Sequence, residues 1–371
     1  MTKEAEVVVV GGGAMGSAAA WQLAQRGRDV LLLERFSPGH TMGASHGASR
    51  NFNVSYDRPE YLELLVEALP LWRELEAATG ASLLDLVGMV THGGSGDFGG
   101  MLDALTALGI PAEILPADEA ARRWNGIRFA TNVLHTPQAG RINADAAVDA
   151  LQRAARTAGA EIRHDSHVLG MEVIDNNRVR VSTADETVDA RRAVVTVGAW
   201  TSALIGRTLP LPRLTVTQEQ PAHFAVRDAA ASWPGFNHIK GEKDDWWYST
   251  VYGMFTPGAG VKAGWHGTGP IANPDARTFT PEPRQLAALQ RYAREWLPGV
   301  DSDVFTDISC TYTTTPDSDF ILDRVGPITI GAGFSGHGFK FTPAIGRVLA
   351  DLALGGERPH PSFSLARFAR P

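Results

Sequence analysis

Four consecutive β-branched residues, Val7-Val8-Val9-Val10, run straight into Gly11-Gly12-Gly13-Ala14-Met15-Gly16. The valines predict a strand buried on both faces. Gly11, Gly13 and Gly16 fall in the G-x-G-x-x-G spacing. Ala14 to Arg26 predicts a helix that stops at Gly27, and Val30-Leu31-Leu32-Leu33 predicts a second strand ending in Glu34. Strand, tight turn, helix, strand and acid, in that order, mark a dinucleotide site. Gly11 permits the turn, Gly13 lets a pyrophosphate approach the backbone, and Gly16 lets the helix pack close to the sheet. Ala14 and Met15 open the helix, whose N-terminus offers free N–H groups and partial positive charge to phosphates. Glu34 is expected to accept hydrogen bonds from ribose hydroxyls. The expected fold is α/β and Rossmann-like.

At 371 residues the chain is long enough for two domains. A formal charge of −7 argues against nucleic acid as a partner. No run approaches the roughly 18 apolar residues of a membrane span. The opening Met1-Thr2-Lys3-Glu4-Ala5-Glu6 is acidic and lacks the pattern of a signal peptide. The sole cysteine, Cys310, excludes an intrachain disulfide. A cytoplasmic protein with no metal site is therefore expected.

The polar loop 37–50 carries Ser45, His46, Ser49 and Arg50, and it leaves the second strand where the dinucleotide would lie. Pro59 to Thr79 predicts an amphipathic helix, kinked or broken at Pro70. Residues 83–91 read as strand with a glycine break, 99–108 and 117–124 as helices, and 134–142 as strand and turn. Asn143 is the expected N-cap of a helix over 144–158. Residues 160–164, 168–173 (with Val168) and 178–182 predict a small β-meander. It leads to a buried strand over 193–197, expected beside the first strand and ending at Gly198, with Trp200 just before a helix from Thr201. Aromatic strands are expected over Trp246-Trp247-Tyr248 and Tyr252-Gly253-Met254-Phe255, and another strand over 261–266. Alternation leaves Lys262 either on an exposed face or turned inward as a cation near a ligand. A helix over 287–296 follows. Near the end, the strand Ile328-Thr329-Ile330 runs into Gly331-Ala332-Gly333-Phe334-Ser335-Gly336-His337-Gly338-Phe339-Lys340, ahead of a helix over 343–354. Free N–H groups there suit the electron-rich edge of a two-electron cofactor ring.

Three stretches together, Ser45-His46-Gly47-Ala48-Ser49-Arg50, Cys310-Thr311-Tyr312 and Gly333 to Phe341, resemble the monomeric sarcosine oxidase and N-methyltryptophan oxidase family, within the D-amino-acid-oxidase-like flavoproteins. The resemblance covers nearly the whole chain. It implies FAD, attached through a Cys310 thioether. It implies a discontinuous FAD-binding domain (1–85, 143–212, 306–371) and a second, antiparallel-sheet substrate domain (86–142, 213–305). Cofactor contacts carried over are Gly11, Gly13, Ala14, Met15, Gly16, Glu34, Arg35, Ser45, His46, Ser49 and Arg50. Later in the chain they are Val168, Gly198, Trp200, Cys310, Gly333, Gly336, His337, Gly338, Phe339 and Lys340.

Lys262 resembles the lysine at the flavin face where oxygen is reduced, with Arg50 as its neighbour. Lys340 resembles the ligand of a substrate carboxylate; Tyr252, His266 and Tyr312 resemble pocket residues. The chain departs from the family at Asn53, where members that oxidise sarcosine carry a second arginine. Asn51, Asn53 and Trp247 are therefore expected to shape a different amine pocket. The implied activity is oxidation of a secondary amine, an N-substituted amino acid, to an imine, with O2 reduced to hydrogen peroxide by a monomer. A sugar-modified (fructosyl) or cyclic amino acid, a dehydrogenase passing electrons to another acceptor, and a non-catalytic flavin-binding module remain alternatives.

Overall fold

The computed structural model describes residues 2–369; Met1, Arg370 and Pro371, inside the expected domain bounds, lie outside them. The strand Thr2–Val10 pairs in parallel with Val30–Leu33 on one side and Thr187–Val195 on the other. Val7 to Val10 are at most 2% exposed, as a strand covered on both faces requires. The sheet runs 170–175, 178–182, 187–195, 2–10, 30–33, 161–163. Thr187–Val195 serves three neighbours: besides Thr2–Val10, its first residues pair antiparallel with Arg178–Ser182, and its last three pair in parallel with Ile328–Ile330. The expected meander is corrected here. Glu161–Arg163 does not join it but pairs with Val30–Leu33 at the opposite edge, and Thr187–Val195 takes its place.

The helix Ala14–Gln25 packs on the sheet and against the helices Ala144–Thr157 and Thr342–Leu354. A Cβ on Gly346 would lie 2.6 Å from Ala18, so the last of these contacts is backbone-close. The Asn143 side chain caps its helix by accepting from the Ala146 N–H at 3.0 Å. The helix Pro59–Thr79 runs through Pro70 without a break. Pro70 is on the exposed face, and Val66, whose carbonyl loses its helical donor, is 47% exposed, so water can satisfy that oxygen.

A second eight-stranded sheet has the order 300–307, 222–226, 260–265, 251–256, 235–239, 89–93, 133–136, 113–115. It is antiparallel except between Gly235–Ile239 and Met89–Gly93, which pair in parallel. Trp246-Trp247-Tyr248 lies in a turn, not a strand. The Asp244 carboxylate accepts from the Gly241 N–H at 2.7 Å, and its carbonyl accepts from the Trp247 N–H at 2.9 Å. These two bonds fold the loop that closes the hairpin between Gly235–Ile239 and Val251–Thr256. The two sheets are bridged by an antiparallel ribbon, Thr215–Glu219 with Cys310–Thr314. A short three-stranded sheet pairs Arg50–Phe52 and Leu84–Asp85 with Gly140–Ile142.

Candidate active site

The site is built around a 740 Å³ cavity at the carboxyl end of the first strand, walled by the turn Gly11 to Met15. A Cβ on Gly13 would meet Ser45 Oγ at 3.0 Å, and Ser45 Oγ accepts from the Ala14 N–H at 3.0 Å. Loop 37–50 thus folds over the helix N-terminus. Gly16 stands outside the cavity wall, and a Cβ there would fall 1.8 Å from the Gly11 carbonyl oxygen and 2.5 Å from Thr196 Oγ1. Gly16→Ala therefore forces the helix off the strand. We expect a loss of about 3 kcal/mol, seen as a lower denaturation midpoint, and loss of dinucleotide retention.

Glu34, 6% exposed, accepts from the Gly12 N–H at 2.6 Å and the Phe36 N–H at 2.9 Å. These bonds aim its carboxylate along the wall. Arg35, Val168, Gly198 and Trp200 line the same end. Asp275 joins them from the other half of the chain: it accepts from Arg35 Nη1 at 2.7 Å and Trp200 Nε1 at 2.9 Å. Sequence reasoning missed Asp275, although Asn273-Pro274-Asp275 is a turn signal.

A second cluster holds His46, Arg50, Cys310, Tyr312, Gly333, Gly336, Gly338 and Phe339. Arg50 Nη2 is 3.7 Å from Cys310 Sγ, and its guanidinium donates to the Ala44 and His46 carbonyls. The His46 Nε2 is buried without a partner. Burial first, then the charges of Arg50 and Lys262, lower its pKa to about 3, so the ring stays neutral. A Cβ on Gly336 would sit 2.1 Å from Tyr312 Cε2; the missing side chain is what lets the tyrosine lie against this turn.

Lys262 is turned inward and 4% exposed, which excludes the exposed-face reading. Its Nζ donates to the Ser49 carbonyl at 3.3 Å, the carbonyl that also accepts from Arg50 Nη1 at 2.9 Å. Burial, reinforced by Arg50, lowers its pKa to about 7. Ser49 Oγ bonds Thr256 Oγ1 at 2.6 Å, which in turn meets His223 Nε2 at 3.2 Å. His223 lies directly opposite Lys262 in the sheet and was not singled out from the sequence.

Lys340 is 5% exposed. Its Nζ donates to Tyr56 Oη and to the His337 carbonyl, both at 2.8 Å. Burial lowers its pKa to about 7. The Tyr56 hydroxyl bonds the His337 ring at 3.1 Å; Tyr56 was also missed. His266 is exposed along part of its surface but turns Nδ1 toward Tyr312 Oη at 3.4 Å; desolvation of the ring, followed by the Lys340 charge, lowers its pKa to about 4. Burial raises the Tyr252 hydroxyl pKa.

Of the expected site residues, Ser49, Tyr252, Lys262, His266, His337 and Lys340 stand outside the cavity wall, and three more lie elsewhere or turn away. Trp247 is 2% exposed inside the aromatic core with Trp265, Tyr292 and Trp296. The Asn51 Oδ1 is buried and unpaired against Gly235 of the second sheet. The Asn53 side chain accepts from the Ser55 N–H at 2.8 Å, closing its own turn. Among the described residues, no cluster of three or more His, Cys, Asp or Glu is arranged for a metal ion, and no helix is long and apolar enough to cross a membrane.

The model of a family described as FAD dependent oxidoreductase matches residues 6–352. A monomeric sarcosine oxidase from Streptomyces avermitilis is 32% identical over 97% of this chain and 96% of its own. An N-methyl-L-tryptophan oxidase from Yersinia pestis is 30% identical over 98% and 99%. Among solved structures, NikD, described as an unusual amino acid oxidase essential for nikkomycin biosynthesis, superposes with a TM-score of 0.86 at 28% identity, covering 98% of this chain and 97% of its own. An L-proline dehydrogenase from P. horikoshii shares the fold, with a TM-score of 0.84 at 22% identity over 99% and 98%.

Proposed function

The chain belongs to the FAD-dependent oxidoreductase family, and from that membership we propose that it oxidises a secondary amine, an N-substituted amino acid, at the CH–NH bond, with O2 as acceptor and hydrogen peroxide as product. The residues fit the cofactor. Gly13 leaves space that a Cβ would fill against Ser45, the unpaired His46 Nε2 waits for a partner, and the cavity is long enough to run from Glu34 to Cys310. Glu34 would hold the ribose, the turn 11–15 the pyrophosphate, and the 333–339 turn the ring edge. The flavin, when bound, supplies the two-electron chemistry between the carbon beside the amine nitrogen and O2.

The protein's own part is positional and electrostatic. One observation carries this reading: two buried lysines, Lys262 and Lys340, stand behind the cavity wall, Lys262 on the Ser49 carbonyl next to the wall residue Arg50, and Lys340 on the His337 carbonyl next to the wall residues Gly338 and Phe339. Burying two ammonium groups is costly, which is the ground for reading them as functional. Lys340 is suited to a substrate carboxylate, and Lys262 to negative charge developing on oxygen. His266, Tyr312 and Tyr252 orient the amine between them. With Asn53 closing its own turn, Lys340 is left as the main cation for the carboxylate, which favours an amine larger or more polar than sarcosine. Cyclic and sugar-modified amino acids belong to that set.

The test is anaerobic flavin absorbance during titration with sarcosine, N-methyl aromatic amino acids, proline and fructosyl amino acids. Bleaching by one class supports the reading and names the substrate; bleaching by none removes it. Peroxide release on readmitting air separates an oxidase from a dehydrogenase. We also propose that Cys310, beside Arg50, bears the flavin covalently. Cys310→Ala is then expected to release all flavin on acid precipitation, where the wild-type pellet stays yellow. Flavin released equally from both proteins rules the bond out. We further read the chain as a cytoplasmic monomer divided into the FAD-binding and substrate domains given above.

A further inference from the structure

Glu219 is a buried acid that none of these roles uses. It is 1% exposed and ends the strand Thr215–Glu219, directly opposite Cys310. Two residues earlier Thr217 stands opposite Tyr312. Residues opposite each other, and two apart along a strand, share a face. Thr217, Glu219, Cys310 and Tyr312 therefore lie on one side of the ribbon that bridges the two sheets. The Glu219 carboxylate accepts from Thr217 Oγ1 at 2.5 Å, from the Thr268 N–H at 3.3 Å and from the Gly269 N–H at 3.2 Å to each oxygen. Those N–H groups belong to the turn that leaves His266. The His266 ring meets the Tyr312 hydroxyl at 3.4 Å.

These contacts make a closed circuit. The ribbon places Tyr312, the carboxylate fixes the turn to the ribbon, and the turn presents His266 back to Tyr312. With Glu219 cut out, the Thr268 and Gly269 N–H groups lose their acceptor. The chain after them stays on the strand Thr215–Glu219 through the Gln218 N–H to the Pro270 carbonyl at 2.9 Å and the Ala272 N–H to the Val216 carbonyl at 3.0 Å, so the loosening is confined to the turn that presents His266. We infer that Glu219 is a positioning residue of the amine pocket, acting through the 267–269 turn to set His266 against Tyr312. Gly269 is part of the device, since a Cβ there would stand 2.9 Å from Glu219 Oε1 and 2.1 Å from the Gln218 carbonyl oxygen. A charged acceptor suits the task because successive backbone N–H groups converge on it, while burial raises its pKa. The Glu219 charge in turn helps hold the Tyr252 and Tyr312 hydroxyls protonated. The inference rests on the amine-oxidase reading of the pocket.

The experiment compares wild type, Glu219→Gln and Thr217→Val as flavin-loaded enzymes, by hydrogen exchange resolved to the segment 266–271 and by steady-state kinetics with the amine that bleaches the flavin. Gln keeps the shape but turns a donor toward one of the converging N–H groups. Glu219→Gln is expected to speed exchange at Thr268 and Gly269 at least fivefold, with the strands of both sheets unchanged. It is expected to raise KM about tenfold while kcat stays within about threefold. Thr217→Val keeps the carboxylate and its backbone bonds, so its effects should be smaller in the same direction. Unchanged exchange at 268–269, or faster exchange there with unchanged KM, overturns the assignment. So does exchange that rises evenly across the molecule, which marks a merely structural residue. If no amine bleaches the wild-type flavin, the functional reading fails on its own. The exchange at Thr268 and Gly269 then still decides whether Glu219 pins the turn.

Discussion

Lys262→Met is expected to slow reoxidation of the reduced flavin by O2 by roughly 10²- to 10³-fold, the usual loss when one preorganised charge-stabilising group is removed. Flavin reduction by the amine should change by less than about threefold. The asymmetry follows from the lysine's surroundings. Its ammonium is fixed on the Ser49 carbonyl beside Arg50, out of water. A cation there acts most strongly on charge that appears during oxygen reduction, because low dielectric does not screen it. Met fills nearly the same volume without the charge, so packing changes little. Anaerobic stopped-flow reduction, followed by mixing with oxygenated buffer, reads the two halves separately. Equal slowing of both would sink the assigned role. On the proposed role, the charged form is the active one. With the pKa lowered to about 7, the reoxidation rate of the free enzyme should fall as pH rises through about 7, and the Met variant should lose that dependence.

Lys340→Met should act on the other half-reaction. Removing a charge-assisted bond to a carboxylate costs about 2–3 kcal/mol, or roughly 30- to 150-fold in the dissociation constant of the amino acid. Reoxidation should be untouched. Burial lowers the Lys340 pKa to about 7, so the protonated fraction, and with it kcat/KM, should decline above that pH in the wild type. Deprotonation of the amine pushes kcat/KM upward with pH, and the two opposed limbs give a bell. In Lys340→Met only the rising limb should remain. A variant that keeps the falling limb would assign it to another group.

The dinucleotide half was legible because its constraints are local. The four valines, the three glycines and Glu34 sit within 28 residues, and each acts on its immediate neighbours. The 333–340 turn and the Asn143 cap were legible for the same reason. What depends on pairing across the chain was not. Alternation put Lys262 on a strand face without saying which face was covered; the cover is Ser49, 213 residues away. Residues 161–163 read as strand, but only the pairing with Leu31 to Leu33 decides which edge they join. Trp247 looked available because an aromatic run is the same in a core and in a pocket. Glu219, Tyr56 and Asp275 matter through partners at least 49 residues off. The glycine pair Gly267 and Gly269 just after His266 was the one faint sign of a constrained turn there.

The contact between Ala18 and Gly346 bears on how this chain can be made. The helix that follows the first glycine turn rests against the helix Thr342–Leu354, and Ile328–Ile330 fills the place beside residues 193–195. When the ribosome has delivered the glycine-turn fingerprint, the helix Ala144–Thr157 and the strand Thr187–Val195 follow before long, but Ile328–Ile330 and the helix Thr342–Leu354 are still some 300 residues from being synthesised. The chain must therefore hold an apolar, unfinished βαβ unit open through most of translation. Only the closing segment completes it, a long-range route of the kind that slows folding and leaves sticky surface in need of a chaperone.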